Sequence, residues 1–199
     1  MLGRESVEGR KIQSCRYGSR CHSIFCPACL RQDGYKQKDR VVRAASLITG
    51  ARLKFGTFVA KDVALESLRE AGREILQAGG RVFRKLKVDG YAARLEVSFE
   101  DWGDKYHAHL HALVDSPSGG RGFVPRDAWR DEWLNALPSS LHPIEGGAHV
   151  TPIRDLEATC KYLTKSPFFD HVREEAERVV NTITACKGMT RSVMRGSFA

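Results

Sequence analysis

Histidines stand at every second position in Tyr106-His107-Ala108-His109-Leu110-His111-Ala112-Leu113-Val114. Successive side chains of a β-strand point to opposite faces, so His107, His109 and His111 share one face. Ala108, Leu110, Ala112 and Val114 take the other, as a strand half-buried on a core requires. Two neutral imidazoles a few ångströms apart on a rigid strand make half of a divalent-metal site. One histidine on an exposed sheet face is ordinary; an alternating set opposite an apolar stripe is a candidate ligand group.

A carboxylate stands on the strand before it. Tyr91, Ala93, Leu95, Val97 and Phe99 alternate with Arg94, Glu96 and Ser98. A hairpin around residues 100–105 that sets Phe99 opposite Tyr106 brings Glu96 directly across from His109, with Cβ atoms about 4.5–5.5 Å apart. The shared face does not depend on that register, because both strands turn their apolar residues to one side. Two imidazoles and one carboxylate suit manganese, magnesium or zinc, with positions left for a substrate oxygen.

A nucleophile is available downstream in Cys160-Lys161-Tyr162-Leu163-Thr164-Lys165. On a helix Tyr162 and Lys165 are i and i+3 neighbours, and Tyr162 lies beside the buried stripe, so it can lean over the sheet. A tyrosine of pKa about 10 is ionised in roughly one molecule in a thousand at neutral pH, a cost near 4 kcal/mol. A divalent metal and a nearby ammonium are the means of lowering it; Lys165 could supply the second or instead hold a phosphate. Alone, Tyr-x-x-Lys is a weak signal that an amphipathic tyrosine packing on the sheet beside a solvated lysine explains better.

The third group is Cys15, Cys21, Cys26 and Cys29, ending in Cys-Pro-Ala-Cys. In a reducing compartment such a cluster points to tetrahedral thiolate zinc, with His22 able to replace one cysteine. Arg16, Arg20, Arg31 and Lys36 surround it as a basic set suited to a polyanion. Cys160 and Cys186 read as ordinary buried thiols.

The positioning elements follow from periodicity. Residues 31–49 are basic and turn apolar, a helix leading into the main domain. Arg52 to Ala60 is a strand; residues 63–87 are helical in pattern, with Gly79-Gly80 able to break or kink the helix. Pro125 starts a helix carrying Trp129 and Trp133, which read as core anchors. His149 to Ile153 is a short strand. Asp155 can cap the helix of Tyr162, whose buried stripe is Leu156, Cys160 and Leu163. A last helix runs from about His171 to Ala185, before a basic tail expected to fray. The order strand, helix, strand, strand, helix, strand, helix predicts an α+β, ferredoxin-like antiparallel sheet, with helices on one face and the other open for chemistry. Residues 1–49 are read as a zinc-binding segment with its linking helix, 50–186 as the main domain and 187–199 as the tail.

Taken together, His-hydrophobic-His on a central strand and a later Tyr-x-x-Lys resemble the HUH endonucleases, and more narrowly the rolling-circle replication initiator proteins of small bacterial plasmids. The resemblance covers Cys21 to Cys29, Glu96, Tyr106 to His111 and Lys161 to Lys165, within roughly residues 12–170. It implies His109 and His111 as the metal pair for Mn²⁺ or Mg²⁺, Glu96 as third ligand, and Tyr162 attacking a single-stranded DNA phosphate, assisted by Lys165. The product would be a 5′-phosphotyrosine with a free 3′-hydroxyl. Ala108 stands where proline is common, and the arginine often found two before Cys-Pro is absent. One tyrosine is convincingly placed, so no second nucleophile is evident. No phosphate-loop motif occurs, so a host helicase and polymerase are the expected partners beside single-stranded or hairpin origin DNA.

The totals agree with a nucleic-acid partner. The chain has 199 residues and a net charge of +8, which favours a polyanion. No apolar run approaches the roughly 18 residues of a membrane span, and no secretory signal region is visible, which points to the cytoplasm. Arg16, Arg20, Arg31, Lys36 and Lys161 are the candidate DNA contacts. Rival readings are a transposase or mobilisation relaxase of the same superfamily, a phosphodiesterase using water without Tyr162, and a non-catalytic zinc-knuckle nucleic-acid-binding protein. Against the last, the open face carries histidines and an acid rather than the aromatics by which such sheets read RNA.

Overall fold

In a computed structural model, which describes residues 6–7, 10–11, 27–99, 105–116, 123–164, 176–186 and 192–199, two short strands, β1 (Ser6–Val7) and β2 (Arg10–Lys11), pair as a separate ribbon. Helix α1 (Pro27–Ser46) follows. The chain then forms β3 (Leu53–Val59), β4 (Val63–Ala64), α2 (Leu68–Lys85), β5 (Gly90–Phe99) and β6 (Lys105–Asp115). After these come α3 (Arg126–Ala136), β7 (Ala148–Pro152), α4 (Leu156–Thr164), α5 (Ala176–Ala185) and β8 (Ser192–Gly196). Strands β7-β3-β6-β5-β8 make one antiparallel sheet in that order, and β4 adds to β6.

The anticipated strand-helix-strand-strand-helix-strand succession is β3-α2-β5-β6-α3-β7. Helices α2 and α3 cover one face of the sheet. Phe58, Leu95 and Leu110 meet Leu68, Ile75 and Phe83 of α2 and Trp129 and Trp133 of α3 in the main core. Trp133 is also tied to the sheet, its Nε1–H donating to the Val59 carbonyl at 2.7 Å. Both tryptophans are thus core anchors.

The other face is not wholly open, contrary to expectation. Val41 and Ala45 of α1 and Cys160 and Leu163 of α4 bury Leu53, Ala92 and Leu113 there, with Phe198 beside them. The cause lies in β6 itself. Its side chains alternate only as far as Leu110, and from there to Asp115 both faces are buried. Leu113 shares a face with the histidines, so that end needs an apolar cover, and α1 and α4 supply it. The histidine end stays accessible.

Three other elements differ from the sequence reading. Helix α1 starts at Pro27, inside Cys-Pro-Ala-Cys, rather than near residue 31; proline fits the first helical turn, where its missing N–H has no intrahelical partner. Residues 63–67 form a short strand and a 3-10 turn before α2, and α2 runs unbroken through Gly79-Gly80. The tail is not frayed: β8 is an edge strand beside β5, and Phe198 is buried behind it. Cys15, Cys21 and Cys26, with the Cys29 side chain, lie outside the described residues, as do Arg16, Arg20, Lys165 and the Arg31 side chain; a zinc module therefore has no structural counterpart among the described residues.

Candidate active site

The central hairpin has the register assumed for it from a loop at residues 100–105. Phe99 pairs with Tyr106, and Glu96 pairs with His109. Since β3 pairs Thr57 with His111, and β5 pairs Arg94 with His111, these side chains form one row across the histidine face. His149 of β7 and Ser192 of β8 extend it at the two ends.

Glu96 reaches diagonally along the face. Its Oε2 lies 2.6 Å from Nε2 of His111, the neighbour of its register partner His109. That contact holds the Glu96 carboxyl below its ordinary range, against the opposing effect of desolvation. His111 is nearly buried, and its Nε2 has no aligned hydrogen-bond partner among the described residues. On the far side of the ring, Nδ1 meets the Thr57 hydroxyl at 3.2 Å. With the proton on Nε2, His111 donates toward the Glu96 carboxylate and Nδ1 accepts from the Thr57 hydroxyl. A cation between Nε2 and Glu96 would take the place of that proton, with Nδ1–H then donating to Thr57 Oγ1.

His109 stands next on the strand, its ring centroid 6.2 Å from that of His111. Burial, reinforced by repulsion from His111, pulls its pKa below the ordinary imidazole value, so the ring is neutral and able to donate a lone pair at neutral pH. His107, at the outer end, is held through Nδ1 by Asp62. Among the described residues no three His, Cys, Asp or Glu side chains close into a ready-made metal cluster. The donor chemistry of His109, His111 and Glu96 nevertheless fits a divalent cation: two imidazoles, one of them braced on its second nitrogen, and a carboxylate held ionised.

Tyr162 is brought to this group by α4. Asp155 caps the helix, its Oδ1 accepting from the Ala158 N–H at 2.9 Å. Cys160 and Leu163 are buried against the sheet, which leaves Tyr162 between them at the rim, half exposed. Its ring stands edge-on to His111, with centroids 5.2 Å apart at 82°, and edge-on to Phe55 at 5.9 Å. The histidines and the acid therefore meet on one surface with a tyrosine that follows His111 by 51 residues in sequence. Cys160, on the same helix, is an unreactive thiol, its pKa pushed up by burial to about 11. Lys36 on α1 and Lys161 on α4 are exposed.

Thr57, Asp62 and Phe55 escape a motif-based reading. Thr57 and Phe55 alternate with Gly56 and Phe58 on β3 and so fall on the histidine face, a signal present in the strand pattern once the order of strands is known. Asp62 sits in the connection between β3 and β4, where no periodicity marks it.

With the fold and this surface defined, comparison with known proteins identifies the class. Residues 12–198 match the family described as Replication protein, and the chain belongs to that family, in agreement with the resemblance carried by its motifs. It is 23% identical to a Protein rep of Lactiplantibacillus plantarum over 206 aligned positions, covering 89% of this chain and 63% of that one. It is 25% identical to a Protein rep of Streptococcus pneumoniae serotype 2, covering 62% of this chain and 43% of that one. A Protein rep of a Bacillus species is 24% identical, with the same coverages of 62% and 43%. The chain thus spans between about two-fifths and under two-thirds of the length of these relatives. No solved structure matches it.

Proposed function

We propose that this chain is an HUH-type endonuclease and strand transferase on a ferredoxin-like sheet, which nicks single-stranded or hairpin origin DNA and so initiates rolling-circle replication of a plasmid or phage. The observation that carries this reading is the Tyr162 ring set edge-on to His111, whose Nε2 is turned to Glu96. A half-exposed phenol beside two imidazoles and a carboxylate is the arrangement a tyrosine nucleophile needs.

His109, His111 and Glu96 would hold Mn²⁺ or Mg²⁺, which when bound polarises a phosphoryl oxygen and stabilises the charge that develops there. Tyr162 Oη forms a bond to the scissile phosphorus as the bond to the 3′ oxygen breaks. The phenolic proton passes to solvent, and the leaving oxygen takes up a proton. The products are a 5′-phosphotyrosine and a 3′-hydroxyl able to prime synthesis. Lys165, three residues after Tyr162, would offset charge on the phosphate. Lys36 and Lys161, with Arg16, Arg20 and Arg31, would hold the strand electrostatically. Cys15, Cys21, Cys26 and Cys29 would bind structural zinc, and the host would supply helicase and polymerase.

Incubation with Mn²⁺ and hairpin or single-stranded oligonucleotides, followed by a denaturing gel, tests the reading. A protein–DNA adduct is expected from the parent chain and none from Tyr162→Phe. An adduct that persists in Tyr162→Phe assigns the nucleophile elsewhere, and cleavage without any adduct points to water as the attacking group.

A further inference from the structure

Beside the candidate site the histidine face has a second feature, a cleft of about 270 Å³ between α1, α4 and the β5-β8 edge. Gln37 and Arg40 of α1 form one wall and Ser192 of β8 the opposite rim, with Arg94 of β5 between them. Leu163 and Met194 give it an apolar lining. Among the described residues no carboxylate lines it.

The cleft is continuous with the proposed centre. Arg94 is the register partner of His111, and Ser192 pairs with Arg94, so the cleft occupies the far end of the row that holds the metal-ligand histidine. Leu163 is next in sequence to Tyr162. Arg94 also feels the charge of Glu96, which links the electrostatics of the two places.

We infer that this cleft holds one nucleotide of the single strand, adjoining the nucleotide whose phosphate meets Tyr162. This deepens the proposed function and rests on it for the identity of the strand. The chemistry of the lining is that of a nucleotide subsite. Two guanidiniums suit a phosphate, and Arg in particular recognises it through paired N–H groups. The amide of Gln37 and the hydroxyl of Ser192 can each donate to and accept from a base edge. The apolar floor takes a base that has left its stack. The volume lies near the lower end of the range for small-ligand sites, enough for a single unit and too small for a duplex, so the subsite selects unpaired DNA.

The test uses the full chain and a pool of random-sequence single-stranded oligonucleotides bearing 5-iodouracil, photocrosslinked and mapped by mass spectrometry. Crosslinks are expected in the peptides of α1 and β8 that contain Gln37, Arg40, Ser192 and Met194. Arg40→Glu is expected to weaken strand binding about tenfold and to lower the slope of log affinity against log salt by roughly 0.7 for each phosphate the protein no longer neutralises. Ser192→Trp, which fills the cleft without removing a charge, should weaken binding comparably. Mn²⁺ affinity should be unchanged in both variants. Crosslinks confined to other surfaces, or full affinity in both variants, would overturn the subsite. The Tyr162 adduct is scored separately: crosslinks in the cleft without an adduct leave the subsite standing and remove the nicking reading, while an adduct without those crosslinks does the reverse.

Discussion

Thr57 braces the ring of His111. Its hydroxyl is the partner of Nδ1 and can accept from Nδ1–H, the tautomer that leaves Nε2 to coordinate a cation. Thr57→Val keeps the shape and removes that partner. Under the proposed function, Mn²⁺ affinity measured by calorimetry should fall about 10–100-fold, the usual consequence of losing a partner behind a metal ligand. Thr57→Ser should retain most of it. An unchanged affinity in Thr57→Val would mean that packing against Phe55, stacked on His111 at 5.7 Å, orients the ring unaided. At this scale much was legible: alternation placed Glu96 and the histidines on one face, and helical spacing placed Tyr162 at the edge of a buried stripe. The diagonal reach of Glu96 to His111 was not, because it depends on side-chain torsions within a shared face. Nor was the hold of Asp62 on His107, which arises from a connection without periodicity.

Among the elements, α2 shows how closely a helix can approach the sheet. A Cβ at Gly79 would come within 2.3 Å of Leu110 Cδ2, whereas one at Gly80 would find only the Tyr91 hydroxyl, at 3.7 Å. The two neighbours in sequence should therefore respond oppositely to alanine. Gly79→Ala must shift a fully buried leucine and should cost about 1–3 kcal/mol. Gly80→Ala gains helix propensity at an open position and should stabilise by up to about 1 kcal/mol. Urea unfolding of both variants measures the contrast, and equal destabilisation would show that the helix sits farther from β6. A Gly-Gly pair read in one dimension suggests a break; the approach of Leu110 supplies a packing reason for the first glycine. The shared face of the two hairpin strands followed from the demand that their apolar stripes meet one core. The register itself did not, because alternation of period two is kept by any even shift. Strand β8 was hidden because its five residues pair with a strand some hundred positions earlier, and nothing local announces that partnership. The cover supplied by α1 and α4 had a trace in sequence, the apolar Leu113, Ala92 and Phe55 among residues that otherwise face outward.

For the molecule as a whole, the two ends of the chain's described core are tied by ionic contacts. The buried Asp115 carboxylate accepts from Arg52 Nε at 2.7 Å and from the Ser197 hydroxyl at 2.9 Å. Arg52 also pairs with Asp89. Hydrogen bonding to these acids, ahead of the counteracting desolvation, raises the Arg52 pKa further. The knot joins the start of β3, the end of β6, the turn before β5 and the turn after β8. Arg52→Ala leaves Asp115 short of a partner and should cost on the order of 2 kcal/mol, from the loss of a charged hydrogen bond, a value held down because the arginine itself is about one-third exposed. Thermal unfolding would measure it. A variant as stable as the parent would show that water replaces the guanidinium at no loss.

The half-and-half burial of β6 bears on how still the chemistry can be held. From Leu110 onward the strand is gripped on both faces, and from Lys105 to His109 it is gripped on one. His111 thus sits where packing on both faces fixes its strand, whereas His107, at the half-open end, is placed by the pairing of β4 with β6 and by the Asp62 side chain. The imidazole nearest Tyr162 is set by packing and the outermost by hydrogen bonding.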